Sequence, residues 1–234
     1  MINNKFYGIE KLSLVDFDGK VACTLFTSGC NFRCAFCHNK DLVINNEYNI
    51  PLEDNEIFEY LEKRKKQLDA VVITGGEPTL MKNLQENISK IKSMGYLVKL
   101  DTNGSNYECL KNLIDKKLID YVAMDIKNSI EEYNNIICIN NKEIINNIKK
   151  SIELLKQNVI DYEFRTTLVN EFHNEKNIDE IGKLLNGSKK IYLQKFVNRE
   201  GCITQGLNEV EIKKALEFKC ILEKYVSNVN LRGY

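Results

Sequence analysis

Cys30, Cys34 and Cys37 stand at C-x3-C-x2-C spacing in the stretch Thr27 to Leu42, directly after an apolar run, Val21 to Phe26, that reads as a buried strand. Thiolates are soft ligands suited to zinc or iron–sulfur clusters, and spacing this tight lets one loop wrap a single metal centre. A cubane cluster capped wholly by protein needs four cysteines. This loop supplies three, with no fourth close behind. The residues therefore favour a four-iron cluster with one iron left open, as catalytic metal sites keep a position for substrate. Zinc is the alternative. It would need a nearby fourth ligand, and His38, adjoining Cys37, is too close in sequence to converge with it readily on one tetrahedral ion. Cys23, Cys109, Cys138, Cys202 and Cys220 are scattered singly and read as small hydrophobes or free thiols.

The elements that must position this loop alternate. Strands are expected at Val21–Phe26, Asp69–Thr74, Tyr96–Leu100, Tyr121–Ile126, Tyr162–Val169 and Lys190–Val197, with amphipathic segments between them. Helices are expected over Leu52–Lys66, over Lys82–Met94 with Gly95 at its end, after Asn106, and around Ile178, Ile181 and Leu185. A last helix, Asn208–Tyr225, precedes a short tail strand. Asn134–Lys150 reads as a loop leading into a helix that buries Ile144, Ile148, Ile152 and Leu155. Repeated strand–helix units imply parallel strands joined by crossovers, with ligands at the carboxyl ends of the strands.

Unusual polar residues recur at those ends: the cysteine loop, Gly75–Pro78, Asp101 to Asn103, Asp125 with Lys127, Arg165 with Thr167, and Gln194. Gly75 and Gly76 either let backbone approach a ligand or make an ordinary turn. Asp101 and Asn103 suit a ribose, or else a turn closed by an Asx hydrogen bond. Asp125 and Lys127 share a face at spacing two and either hold a ligand carboxylate or brace the fold; Asp101 and Asp125 could instead flank a cation. Arg165 shares a face with Thr167 and is the natural fork for a carboxylate, or one half of a structural salt bridge. His38 reads as a local hydrogen-bond donor beside the loop, and His173 as an exposed loop residue.

Lys plus Arg and Asp plus Glu both number 33 among 234 residues, so formal charge is zero and no general nucleic-acid or membrane-surface binder is expected. The first residues lack an apolar leader and no apolar run approaches a membrane span, so a cytoplasmic protein is expected.

The cysteine spacing, with Phe36 before the last cysteine and Gly75-Gly76-Glu77-Pro78 some forty residues on, resembles the radical S-adenosylmethionine (SAM) superfamily. The longer string IEKLSLVDFDGKVACTLFTSGCNFRCAFCHN resembles more narrowly the activating enzymes of glycyl radical enzymes, in particular those of anaerobic ribonucleotide reductase. Asp18 and Ala35 depart from that group, which often carries proline there. The resemblance implies an α/β fold, an open partial (β/α)6 barrel in a single domain over 1–234, with a core of about 20–200 and a C-terminal helix and tail strand at 208–234. It implies a [4Fe-4S] cluster on Cys30, Cys34 and Cys37. SAM would be held by Phe36, Gly75, Gly76, Glu77, Pro78, Asp101, Asn103, Lys127, Arg165 and Thr167. A bulky residue at Gly76 is expected to block SAM and spare the cluster. Reductive cleavage of SAM would give a 5′-deoxyadenosyl radical that takes a hydrogen from a glycine of a partner glycyl radical enzyme. A flavodoxin- or ferredoxin-type protein would supply the electron. The competing expectation is a radical SAM enzyme acting on a small molecule, like the 7-carboxy-7-deazaguanine synthases.

Overall fold

The computed structural model describes residues 4–44 and 50–234. The expectation about a leader falls partly on the first three residues, outside that range. The described residues form eight strands and eight α-helices, in chain order β1 Phe6–Ser13, β2 Ala22–Thr27, α1 Lys40–Val43, α2 Asp54–Arg64, β3 Ala70–Gly75, α3 Leu84–Ser93, β4 Leu97–Thr102, α4 Tyr107–Asp115, β5 Tyr121–Asp125, α5 Tyr133–Ile137, α6 Lys142–Lys156, β6 Asp161–Leu168, α7 Glu175–Leu184, β7 Lys190–Lys195, α8 Ile212–Leu222 and β8 Asn228–Arg232. Hydrogen bonding follows chain order from β1 to β8, so the sheet is open with β1 and β8 as its edges. The six expected strands and the tail strand are all present. β1, which sequence reasoning missed, adds an antiparallel edge, with Ile9 opposite Leu25.

The chain clusters into two compact units, one of Met1–Asn31, Asp41–Thr102 and Asn106–Ala123, the other of Phe32–Lys40, Asn103–Ser105 and Met124–Tyr234. In the first, β2 pairs in parallel with β3, Ala22 opposite Ala70 and Thr27 opposite Gly75, and β3 with β4. Continuous apolar runs make these strands, and their residues are buried on both faces, as parallel strands require. Phe17, from the β1–β2 connection, joins Ala22, Ala70 and Val72 in one cluster on which Leu97 and Tyr121 pack. Leu84, Ile88 and Ile91 recur at helical spacing and are fully buried in α3, each burial stabilising by roughly 1.5–3 kcal/mol. Asn106 caps α4 by accepting from the Cys109 N–H, as expected.

In the second unit, β6, β7 and β8 run parallel, with Arg165 opposite Tyr192 and Gln194 opposite Arg232. The Asn-rich stretch departs from expectation. Its first part is not loop but α5, with Tyr133, Ile136 and Ile137 buried. α6 is then capped by Asn141, whose side chain accepts from the Glu143 and Ile144 N–H groups. Ile148, Ile152 and Leu155 of α6 are buried as expected, while Ile144 is only half-buried in the first turn.

Candidate cofactor site

In the first unit the glycines are fixed by strand packing. Gly75 ends β3 with φ at 115°, and a Cβ there would stand 2.4 Å from the Thr27 carbonyl oxygen. A Cβ on Gly76 would come within 2.0 Å of the Gly29 carbonyl oxygen, one residue before Cys30. The Gly76 N–H donates to Thr27 and the Glu77 N–H to Gly29, both backbone carbonyls, at 2.9 and 2.8 Å. The GGEP segment is therefore laced to the backbone that leads into the first cysteine. Pro78 opens a short 3-10 helix, Pro78–Leu80, as proline does at a first helical position. Glu77 is 2% exposed. Its Oε1 accepts from the Thr79 N–H at 3.1 Å, from the Thr79 hydroxyl, and from the Thr102 hydroxyl at 2.7 Å. Thr102 closes β4 beside Asp101, whose carboxylate lies 3.6 Å from the buried Lys99 ammonium. Sequence reasoning passed over Lys99, although its spacing of two from Asp101 in a strand is a legible same-face signal.

In the second unit, Cys34 and Cys37 carry free thiols and belong to one turn, closed by the Cys37 N–H on the Cys34 carbonyl at 3.0 Å. Cys34 is buried and Cys37 half-buried. The turn is held from outside by the segment after β7. Ile203 and Thr204 N–H groups donate to the Cys37 and Ala35 carbonyls at 3.2 and 2.8 Å. The His38 ring stacks on Phe196 at 5.4 Å, and its Nε2 lies 2.8 Å from the Val197 carbonyl, a local role as expected. This clasp gave no sequence signal, since Arg199–Thr204 has no periodicity.

Asp125 ends β5 between two cations. Arg165 Nε donates to its Oδ1 at 2.8 Å, and Lys127 Nζ stands 3.0 Å from its Oδ2. The Tyr133 hydroxyl accepts from the Lys127 N–H at 3.2 Å and donates to the Asp125 carbonyl at 3.3 Å, locking the turn between them. Burial pushes the Asp125 carboxyl up, but Arg165 and Lys127 outweigh it and hold it at about 2. Burial lowers the Lys127 pKa, and Asp125 more than offsets this, leaving it above its usual value. Lys127 Nζ lies 6.0 Å from the Phe36 ring centre. Burial raises the Cys34 thiol to about 11 and the Cys37 thiol in the same direction, with Lys127 opposing the rise at both.

Of the expected site residues, the structure joins Asp125, Lys127 and Arg165, with Phe36 and the thiols of Cys34 and Cys37 around Lys127. Thr167 shares the Arg165 face of β6, half-buried. Asn103 makes the Asx turn, its Oδ1 accepting from the Ser105 N–H at 2.9 Å. Asp101 and Asp125 each have a cation of their own unit. Among the described residues no three His, Cys, Asp or Glu side chains gather as a ready metal-holding group. Cys34 and Cys37 belong to the second unit and Cys30 to the first. The donor chemistry of Cys34 and Cys37 nevertheless fits an iron–sulfur cluster: soft thiols outside any disulfide, with a fixed ammonium that favours their ionised form. His173, expected at an exposed loop, is instead 1% exposed, because both of its ring nitrogens are taken up by backbone groups.

Comparison with known proteins agrees. Residues 24–185 match the radical SAM superfamily. A Methanocaldococcus jannaschii protein named as a glycyl-radical enzyme activating enzyme is 34% identical over 96% of this chain and 94% of its own length. The pyruvate formate-lyase-activating enzyme of Clostridium pasteurianum is 27% identical over 94% of this chain and 90% of its own. Among solved structures, Streptococcus suis SuiB bound to S-adenosylmethionine superposes with a TM-score of 0.69 at 13% identity, over 88% of this chain. The chain spans about half of SuiB, 49% of its length. An archaeal TYW1 structure gives a TM-score of 0.57 at 16% identity, over 88% of this chain and 72% of its own. These two likenesses show the fold. Radical SAM enzymes work with a [4Fe-4S] cluster and SAM. Over most of its length this chain belongs to the radical SAM superfamily, among the activating enzymes of glycyl radical enzymes.

Proposed function

We propose that the chain generates the glycyl radical of a partner enzyme, the anaerobic ribonucleotide reductase, using an electron from a flavodoxin- or ferredoxin-type donor. The observation that carries this is Lys127. Its ammonium is fixed by Asp125 and stands over Phe36, within electrostatic reach of both the Cys34 and Cys37 thiols. A cation held there suits a cofactor carboxylate that must sit beside the metal. The names of the full-length relatives support the activase role, and the N-terminal string from Ile9 to Asn39 supports the reductase as partner.

Cys30, Cys34 and Cys37 would hold the cluster. Lys127 and Arg165, with Thr167 beside Arg165 on β6, would hold the methionine carboxylate. Gly75, Gly76, Glu77 and Pro78 would shape the place of the amino group, and Asp101 and Asn103 that of the ribose. When bound, cluster and SAM supply the one-electron cleavage that yields methionine and a 5′-deoxyadenosyl radical able to take a glycine α-hydrogen. The protein's own part is to fix charges and exclude freedom: Asp125 restrains both cations, and Tyr133 restrains the turn between Asp125 and Lys127.

The test mixes anaerobically reconstituted protein, SAM, reductant and the reductase. A glycyl-type EPR doublet should form with methionine and 5′-deoxyadenosine, and its splitting should collapse when the partner glycine is deuterated at the α-carbon. Cys34→Ala or Cys37→Ala should abolish it, and Cys220→Ala, at an exposed thiol, should not. No doublet with that reductase, but turnover of a small molecule, would overturn the assignment.

A further inference from the structure

His173 lies in the turn after β6, directly before the Asn174 that caps α7 through a reciprocal box with Asn177. The Val169 N–H donates to its Nδ1 at 3.1 Å, so Nδ1 carries the lone pair. Nε2 then carries the proton and donates to the Lys127 carbonyl at 3.2 Å. Nδ1 also lies 3.2 Å from the Val169 carbonyl, so the opposite tautomer would find an acceptor there, but it would set the buried Lys127 carbonyl against a lone pair. A second tie runs alongside: Asn128 Nδ2 donates to the Phe172 carbonyl at 2.8 Å, and the Phe172 ring lies 6.1 Å from Phe36. The turn after β6 is thus fastened to the two residues that follow the β5 strand end and Ile126.

We propose that His173 is a positioning residue for Lys127. As the neutral Nε2–H tautomer it fixes the Lys127 carbonyl, and so the backbone from which the ammonium reaches Asp125. This role rests on the reading that Lys127 and Arg165 hold the SAM carboxylate. Burial keeps the ring neutral, and the Lys214 ammonium of α8 acts in the same direction.

The chain has 2 histidines, so 15N-histidine NMR of the metal-free protein reads His173 directly. Nδ1 should be bare and Nε2 protonated near neutral pH; a proton on Nδ1 overturns the proposal. Two variants separate positioning from folding. His173→Gln returns an N–H donor where Nε2 stood, and His173→Asn returns only an acceptor where Nδ1 stood. In equilibrium dialysis of the reconstituted protein, His173→Gln should bind SAM within about threefold of the parent, and His173→Asn about tenfold more weakly. Equal affinity of the two variants overturns the proposal. Unchanged SAM affinity in Lys127→Ala overturns the carboxylate reading itself, and the role of His173 with it. A loss in Lys127→Ala with no difference between the two His173 variants overturns the role of His173 alone.

Discussion

Arg165 Nε donates to Asp125 Oδ1 at 2.8 Å, across a step where the Ile126 N–H also donates to the Arg165 carbonyl at 2.8 Å. The ion pair is thus registered by the backbone on both sides of it. Removing one member of a largely buried ion network leaves charge uncompensated, at a cost of about 3–5 kcal/mol. Asp125→Asn should destabilise the metal-free protein by about that amount in urea melts, with Arg165 and Lys127 left facing an amide. A change under about 1 kcal/mol would mean that solvent already screens the group.

Arg165→Ala tests the same group from the ligand side. If the guanidinium bonds the SAM carboxylate, affinity should fall by about 1.5–3 kcal/mol, a charged hydrogen bond's share. The reconstituted cluster should keep its iron content. Unchanged affinity by equilibrium dialysis would confine Arg165 to its pair with Asp125.

Much of this site could be read from the chain because parity in a strand is local. Arg165 and Thr167 share a face of β6 at spacing two, wherever the strand lies, whereas Asp125 and Lys127 meet across the turn that follows β5. The runs that became β2 and β3 are unbroken and apolar, which marks buried parallel strands. β1 carries Gly8, Glu10 and Lys11 on an exposed antiparallel edge, so its pattern is weak. His173 was misplaced for a different reason. A lone histidine among polar residues looks solvated, and only tertiary contacts with the Val169 N–H and the Lys127 carbonyl bury it. At Asn103 the Asx hydrogen bond from the Ser105 N–H is present, a local contact that spacing alone could not place.

Gly76→Ala should do more than block a ligand. Its Cβ would meet the Gly29 carbonyl oxygen at 2.0 Å, and that neighbour is backbone rather than a flexible side chain, so the segment entering Cys30 must shift. The sequence suggested that bulk here would spare the cluster. The packing predicts instead that iron content after reconstitution falls together with SAM binding, and that the metal-free variant loses about 1–3 kcal/mol of stability, as overpacked sites do. Full iron with lost SAM binding would restore the simpler steric picture.

The pH dependence of stability carries a signature of His173. Burial lowers its pKa from 6.5 to about 4, against the Val169 and Lys127 carbonyls, which favour the charged ring. The folded state therefore resists a proton that the unfolded chain accepts. The stability tied to this group is complete above the unfolded value near 6.5 and drains away as pH falls through about 4. The whole loss is on the order of 3 kcal/mol. Asp125, depressed from 3.8 to about 2, loses its share only below that window. Urea melts of the metal-free parent and of His173→Gln should therefore converge as pH falls from 6.5 to about 4, because the variant has no imidazole to titrate. A constant difference between the two across that range would show that His173 titrates normally in the folded protein, with a ring more open to water than its two bonds to Val169 and Lys127 allow.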